Sequence, residues 1–365
     1  MEHPLMYRIA LTLVPNIGPV IARMLLQHLS PEAIFTERRS VLESIEGLGK
    51  LRADSILKFN GFSQAERELV FIEKHGVRPL FLTDADYPQR LLNCYDAPVL
   101  LYYKGNADLN QSKIVAVVGS RLHTEYGRQV CEQLIHDLQD SGVLVVSGLA
   151  YGIDSLVHRS SLKAGLQTVG VLAHGLDKIY PADHLAMARE MTGQGGLLTE
   201  FVTGTKPDRH HFPSRNRIVA GMSDTTVVVE TEIKGGSMIT ADLANGYYKD
   251  VFAFPGKISD KKSSGCNHLI KTNRAQLLTD GKQLLETMGW APVKKTVKKQ
   301  TRELFIELSA EEQAIVTLLQ ERQQADIDEL HLRSGLSSSR VAVAVLNLEM
   351  QQVIQALPGK MYQLL

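Results

Sequence analysis

A chain of 365 residues with 44% hydrophobic and 22% charged side chains is long enough for two or three packed domains and carries ample core. Its 40 basic and 40 acidic residues cancel, so no global field draws it to a polyanion and any such site must be a local patch. Three cysteines, Cys94, Cys131 and Cys266, show neither CxxC pairing nor metal spacing, which argues against a disulfide framework and a metal centre and for buried thiols in a reducing compartment.

The N-terminus lacks the basic, apolar and cleavage-site succession of a secretory signal, and no apolar run approaches about 18 residues. The expectation is a cytoplasmic protein with no membrane span. Residues 1–105 read as short helices with two glycine-marked turns, in "VPNIGPVIARMLLQHL" and "LESIEGLGKLRADSILKF". The second turn, with Gly47 and Gly49 before Ala53 and Ile56 at helical spacing, has the pattern of a helix-hairpin-helix. Such a turn either presents backbone N–H groups to a phosphate or simply packs.

From residue 113 the texture changes. Apolar runs "KIVAVVG", "GVLVVSG", "QTVGVLAHG", "GGLLTE", "TTVVVE" and "DVFAFPG" alternate with stretches long enough for helices. That alternation predicts a parallel sheet covered on both faces, a Rossmann-like α/β domain over 106–290. A basic segment at 291–303 carries Lys294, Lys295, Lys298, Lys299 and Arg302 without an acid and reads as a solvated linker, with a phosphate tether as the alternative. Residues 304–365 open with a capping box, Ser309 and Glu312, and continue as three helices and two short strands around Pro358-Gly359, the pattern of a winged helix. Its recognition helix offers Arg340 as its only base, where a groove-reading helix carries several polar donors. Protein contact or weak DNA contact is expected there rather than sequence-specific duplex reading.

In a parallel sheet, ligands collect beyond the carboxyl ends of the strands. The first three ends here carry Gly119, Ser120 and Arg121; Ser147, Gly148 and Asp154; and Gly175, Asp177 and Tyr180. Glu200 and Glu230 close the fourth and fifth strands, and "TEIKGGSMIT" follows with Lys234, Gly235, Gly236 and Ser237. Before the fifth strand lies "RHHFPSRNRIVAG", with Arg209, Phe212, Arg215, Asn216 and Arg217. No GxGxxG opens the first helix and no GxxxxGK[ST] occurs anywhere, which argues against dinucleotide and Walker-type ATP sites, and no cofactor is expected. Small residues with scattered cations, including Lys206, suit an oligoanion. Phe212 and Tyr180 offer flat faces for a base; the alternative for Phe212 is a core plug.

The blocks "VAVVGSRLHTEYG", "VVSGLAYGIDSLVH", "VGVLAHGLDKIYP", "HFPSRNRIVAG", "VVVETEIKGGSMIT" and "GCNHLI" together resemble the DNA-processing DprA (Smf) family, in order and across the whole α/β domain. The resemblance implies a helical SAM-like or helix-hairpin-helix N-terminal unit and, in many members, a C-terminal winged helix. It also implies a non-enzymatic, dimeric protein of natural transformation and competence that binds single-stranded DNA and loads the RecA recombinase onto it. The family's DNA pocket maps onto Arg121, Ser147, Gly148, Phe212, Arg215, Asn216 and Arg217, with Lys234 as the basic residue of "EIKGGS". Two segments depart from the family pattern: "KTNRAQLL" replaces a more usual Gly-Ala ending, and "YPADH" lacks the basic or asparagine residues often found there.

Three other readings compete. Nucleotide phosphoribohydrolases of the same domain type need a glutamate after GGxGT, where this chain has only Asp242, two residues after Thr240. Asp154 and His158, at i and i+4 within hydrogen-bonding reach, form either a base-and-orienter pair or a structural anchor of the glycine turn. A duplex-binding regulator would act through the winged helix. Within the arginine cluster, residues 215 and 217 lie about 200° apart on a helix starting near Pro213. One of them, Arg217, is therefore expected to lock onto a carboxylate or carbonyl inside the domain, leaving Arg215 and Phe212 to reach DNA.

Overall fold

The structure is a computed structural model that describes residues 4–291, 308–351, 353–357 and 360–364. Beyond Ala291, the expected basic linker lies outside the described residues. The chain divides into two compact units, Met1–Pro292 and Val293–Leu365.

The first unit begins with six helices, from Pro4–Leu13 to Phe62–His75. Helices Arg39–Ser44 and Gly49–Leu57 form the expected hairpin, with Gly47 and Gly49 at φ 82° and 69°, left-handed values that favour glycine. Phe62 packs edge to face with Tyr7, Phe35 and Phe59. Helix Phe62–His75 stops where Gly76 turns left-handed at φ 60° and Val77 N–H returns to Ile72 O.

Nine strands follow: β1 Arg78–Phe81, β2 Leu100–Gly105, β3 Ile114–Val118, β4 Leu144–Gly148, β5 Thr168–Val171, β6 Gly195–Thr199, β7 Thr225–Val228, β8 Asp250–Ala253 and β9 Gln276–Leu277. They form one sheet in the order β1-β2-β6-β5-β4-β3-β7-β8-β9, parallel from β6 to β9. β3 to β7 are buried on both faces, as their unbroken apolar sequences require. Val115 and Val117 join the core under helix Glu125–Leu138, and Ala116 and Val118 join the core on the other side.

Residues 78–105 correct the expectation of an all-helical segment up to 105. β1 and β2 are antiparallel additions that cover the edge of β6. Gly196 leaves room there for the Tyr103 ring, whose hydroxyl donates to Gly195 O at 2.8 Å. Leu100 and Tyr102, on the other face of β2, complete the core of the N-terminal helices. Sheet and helices thus share one hydrophobic interior, a tertiary fact with no local periodicity to announce it.

The strand order places the switch point at β3. From β3 the chain winds through β4 and β5 to β6, then returns to lay β7 on the opposite side. Connections leaving β3 and β7 therefore diverge and open a crevice above their carboxyl ends. Glu200 and Glu230 follow β6 and β7, which are consecutive in sequence but separated in the sheet by β5, β4 and β3.

The second unit contains helices Ala310–Arg322, Ile327–Ser334 and Ser338–Met350, with β10 Gln324–Asp326, β11 Ile354–Leu357 and β12 Met361–Leu364 in the order β10-β12-β11. The Ser309–Glu312 capping box is formed, with Ser309 N–H donating to Glu312 Oε2 at 2.9 Å. β10 was not anticipated: three residues between two helices, "QAD", carry no strand signature, and the strand exists through its pairing with β12. Among the described residues no helix is long and apolar enough to cross a membrane.

Candidate nucleic-acid interface

A cleft of about 510 Å³ lies above the carboxyl ends of β3 and β7. One wall is the turn after β3. Ser120 N–H donates to Glu230 O at 2.7 Å, and Glu230 Oε2 accepts from both Thr124 N–H and its hydroxyl at 3.0 and 3.1 Å. Thr124 in turn caps helix Glu125–Leu138 by accepting from Gly127 N–H. Glu230 is thus a buried fastener of the turn and points no charge into the cleft. The turn projects Arg121, which has no ion-pair partner among the described residues and stacks its guanidinium on the Phe212 ring, 4.9 Å from the centroid.

The opposite wall is the loop after β7 and the start of helix Gly236–Gly246. Gly235 caps that helix without a side-chain bond, leaving its first N–H groups open toward the cleft. The Ser237 hydroxyl is buried beside them with no hydrogen-bond partner among the described residues. Lys234 is exposed, lines the cleft and has no ion-pair partner among the described residues.

The floor is built around Arg215. Its Nη1 donates to Val171 O at 2.8 Å and faces Asp154 at 4.0 Å, and the residue is only 5% exposed. Burial pushes the Asp154 carboxyl up from its ordinary value and pulls the Arg215 guanidinium down, with each charge partly offsetting the other's shift. Arg215 Nε has no hydrogen-bond partner among the described residues. A side chain at Gly148 would overlap the guanidinium, so glycine there is what lets the cation lie on the strand end.

His158 sits beneath, with Nε2–H donating to Gly148 O at 2.5 Å and Nδ1 hydrogen-bonded to Thr168 Oγ1 at 2.7 Å. Its pKa is pulled down to about 4, first by burial. Asp154 and His158 do not bond to each other. Each serves a different part of the floor, and the base-and-orienter alternative has no geometric support.

Of the expected site residues, Gly119, Ser120, Arg121, Gly148, Arg209 and Phe212 line the cleft, as do Arg215, Asn216, Lys234, Gly235, Gly236 and Ser237. Two do not. Ser147 is fully buried and donates to Val117 O at 2.7 Å, because the small hydroxyl satisfies itself inside the sheet. Arg217 points away from the cleft to Glu200 Oε2 and Asp96 O, as the helical angle requires. Arg215 is a buried floor group rather than an outward-reaching one, and helix His211–Gly221 starts two residues before Pro213. Lys206 does not line the cleft.

The N-terminus of helix Ile153–Lys163, after Gly148, is the other candidate anion seat at these strand ends. There Ile153 N–H is already taken by Ser120 O at 3.0 Å and Asp154 occupies the first turn, so the open anion seat is at Gly236. Sequence reasoning missed Thr231, Glu232 and Lys262, which also line the cleft. Beside it, a narrower slot of about 30 Å³ is bounded by Tyr151, His174, Tyr180 and the Arg121–Phe212 stack. At that volume it holds about one water. No cluster of metal-ligating side chains occurs among the described residues.

Fold and cleft define a doubly wound α/β protein whose strand-end crevice presents unpaired cations and an open helix N-terminus to an anionic ligand. The family model for DNA recombination-mediator protein A matches residues 78–289, and that for the DprA winged-helix domain matches 302–360. Protein Smf from Synechocystis is 36% identical over 79% of this chain and 73% of its own length. The DNA processing protein DprA from Streptococcus pneumoniae is 42% identical over 56% of this chain and 72% of its own. A solved structure of the S. pneumoniae protein superposes with a TM-score of 0.66 at 32% identity, covering 78% of this chain and 98% of that one. DprA from Helicobacter pylori, solved for its single-stranded DNA binding mode, gives 0.53 at 29% identity, covering 58% and 95%. The chain belongs to the DprA (Smf) family of DNA-processing proteins.

Proposed function

We propose that this protein binds single-stranded DNA in the cleft between β3 and β7 and delivers it to a RecA-type recombinase during uptake of transforming DNA. The observation that carries the reading is the pairing of two unneutralised cations, Arg121 and Lys234, with an open helix N-terminus and an aromatic ring within one crevice. Phosphates sit against Arg121, Lys234 and the N–H groups beginning at Gly236, and Arg215 adds a fixed positive potential from below. Bases turn toward Tyr180 and the outer face of the Arg121–Phe212 stack. The family membership and the H. pylori relative's single-stranded DNA binding support the same ligand.

The protein acts as a binder rather than an enzyme. Asp242, the only carboxylate near the position a phosphoribohydrolase would need, is engaged by Arg274. It works in the cytoplasm and as a homodimer, which joins two clefts and raises avidity for longer strands.

A fluorescence-anisotropy titration with single- and double-stranded oligonucleotides of equal length tests the reading. Single strands bind more tightly, with a salt slope near about −2 for three neutralised phosphates. Deleting 304–365 leaves that binding in place. Equal affinity for duplex, or loss of single-strand binding on that deletion, refutes the cleft and favours a duplex reader acting through the winged helix.

A further inference from the structure

The loop after β8, residues 256–264, meets the cleft through Lys262 and carries cations that the proposed contacts leave unused. Its sequence "GKISDKKSS" carries Lys257, Lys261 and Lys262 against one acid, Asp260. That acid is turned inward, where its Oδ1 accepts from Lys262 N–H at 2.9 Å and its Oδ2 from the Ser263 hydroxyl at 3.2 Å. Both ends of the loop are pinned. Asn267 holds Gly256 through its N–H and its carbonyl, at 3.2 and 3.0 Å, and Gly265 N–H donates to Thr231 O at 2.8 Å. A side chain at Gly256 would overlap Ser263, and one at Gly265 would overlap Thr231 and the Glu232 backbone. The lysines are therefore displayed from a fixed turn whose position is tied to the far wall of the cleft.

Lys261 and Lys262 converge on one carboxylate, Glu232, at 3.6 and 2.8 Å. Glu232 and Lys262 line the cleft beside Lys234. The hydrogen bond from Lys262 is the main cause that holds the Glu232 carboxyl below its ordinary range, so it is ionised at neutral pH. An ion pair this open to water contributes little to folding. Its position matters more. At the mouth of an anion site, an ionised carboxylate repels an approaching phosphate and occupies two cations that would otherwise attract it. In the sheet, β8 lies beyond β7 from β3, so the turn extends the row of cations from Arg121 through Lys234 in one direction.

Resting on the single-stranded DNA reading above, we infer that loop 256–264 is a second phosphodiester-binding subsite, with Glu232 shielding Lys261 and Lys262 until the backbone of a longer strand displaces it. A strand already anchored at Arg121 and Lys234 brings its next phosphates to the turn at high effective concentration and exchanges one ion pair for another. A mononucleotide or free phosphate has no such anchor and leaves Glu232 in place. The carboxylate thus selects for strand length without reading any base.

The test uses the full chain and two fluorescein-labelled oligothymidylates, one short enough to fill a single cleft and one several times longer. Glu232→Gln tightens binding of the longer strand by about three- to tenfold and steepens its salt slope by up to about 1.4, the equivalent of two lysines at about 0.7 each. The Lys261→Ala/Lys262→Ala variant loosens the longer strand far more than the shorter one, and adding Glu232→Gln to it restores nothing. Melting midpoints, which should stay with the parent's, serve as the folding control.

Glu232→Gln binding both strands as the parent does overturns the inference. So does a triple variant that keeps the gain of Glu232→Gln, because the carboxylate would then act without the lysines. Arg121→Ala separates the two levels of the argument. If it weakens both strands while the loop variants weaken neither, the cleft stands and the subsite falls. If it weakens neither, the cleft reading itself falls.

Discussion

Two surfaces of this chain have the shape to meet nucleic acid, and they are equipped in opposite ways. The strand-end cleft carries Arg121 and Lys234 free of ion pairs, above a buried Arg215, on walls of glycine that let a backbone approach. The third helix of the winged-helix unit, Ser338–Met350, has one base, and Arg340 is already paired with Glu311 at 3.2 Å. Its outward positions Val343, Leu346 and Met350 are 57%, 56% and 77% exposed, an apolar strip with nothing to offer a base edge or a phosphate. On the reading proposed above, the winged helix lacks the donors of a groove reader, and the strand-end crevice holds those of a polymer site. The charges that remain unpaired decide which surface binds, whatever the fold around them.

The contrast is broken most directly at the cleft floor. Arg215→Ala leaves Asp154 buried without its counter-charge and should cost about 3–5 kcal/mol of stability in denaturant unfolding, together with single-strand binding. Unfolding at the parent's midpoint would show that the floor is not preorganised around that pair. Next in size is a pH effect. His158, with its pKa near 4 in the fold and 6.5 as its ordinary value, stabilises the protein as the neutral ring. That contribution is complete above about pH 6.5 and is lost as pH falls toward 4, amounting to about 3 kcal/mol in all. A His158→Gln variant should therefore be less stable at neutral pH and show a flatter pH dependence across that window. Matching slopes would remove His158 from the account.

Arg121→Ala is expected to weaken single-strand binding about tenfold, roughly 1.4 kcal/mol, and to flatten the salt slope by about 0.7, with no change in melting. The smallest effect sharpens the comparison from the other side. Arg340→Ala should alter stability by less than about 0.5 kcal/mol and single-strand affinity not at all. A measurable loss of DNA binding in that variant would return the winged helix to the list of DNA contacts.

Much of this was legible in the sequence where local pattern and chemistry coincide. Unbroken runs such as "KIVAVVG", short and rich in β-branched residues, read as strands covered twice, and the Ser309–Glu312 box marks a helix start by itself. The 200° between residues 215 and 217 was enough to turn Arg217 away from the cleft, toward Glu200. What stayed hidden depended on partners distant in the chain. β2 is a strand because β6 has a bare edge, and its tyrosines look like neither period. Ser147 belongs to a shared sequence block, yet its hydroxyl is spent inside the sheet. Lys262 and Glu232 entered the cleft unannounced, because the turn that carries the lysine is placed by Gly265 and Asn267 rather than by anything near its own sequence.

The shared interior between the first helices and the sheet has a practical consequence. Glu68, on helix Phe62–His75, accepts from both the N–H and the hydroxyl of Thr203, at 2.9 and 2.6 Å. Thr203 belongs to the segment that runs from β6 into helix His211–Gly221 and so into Phe212 and Arg215. The opening helices therefore brace the approach to the cleft, through Glu68 and through the face of β2 that they cover. Cutting the chain between them and the sheet would strip the cover from β2 and slacken the strut that aims the site. Any exchange of this segment between relatives has to carry Thr203 and the face of β2 along with it.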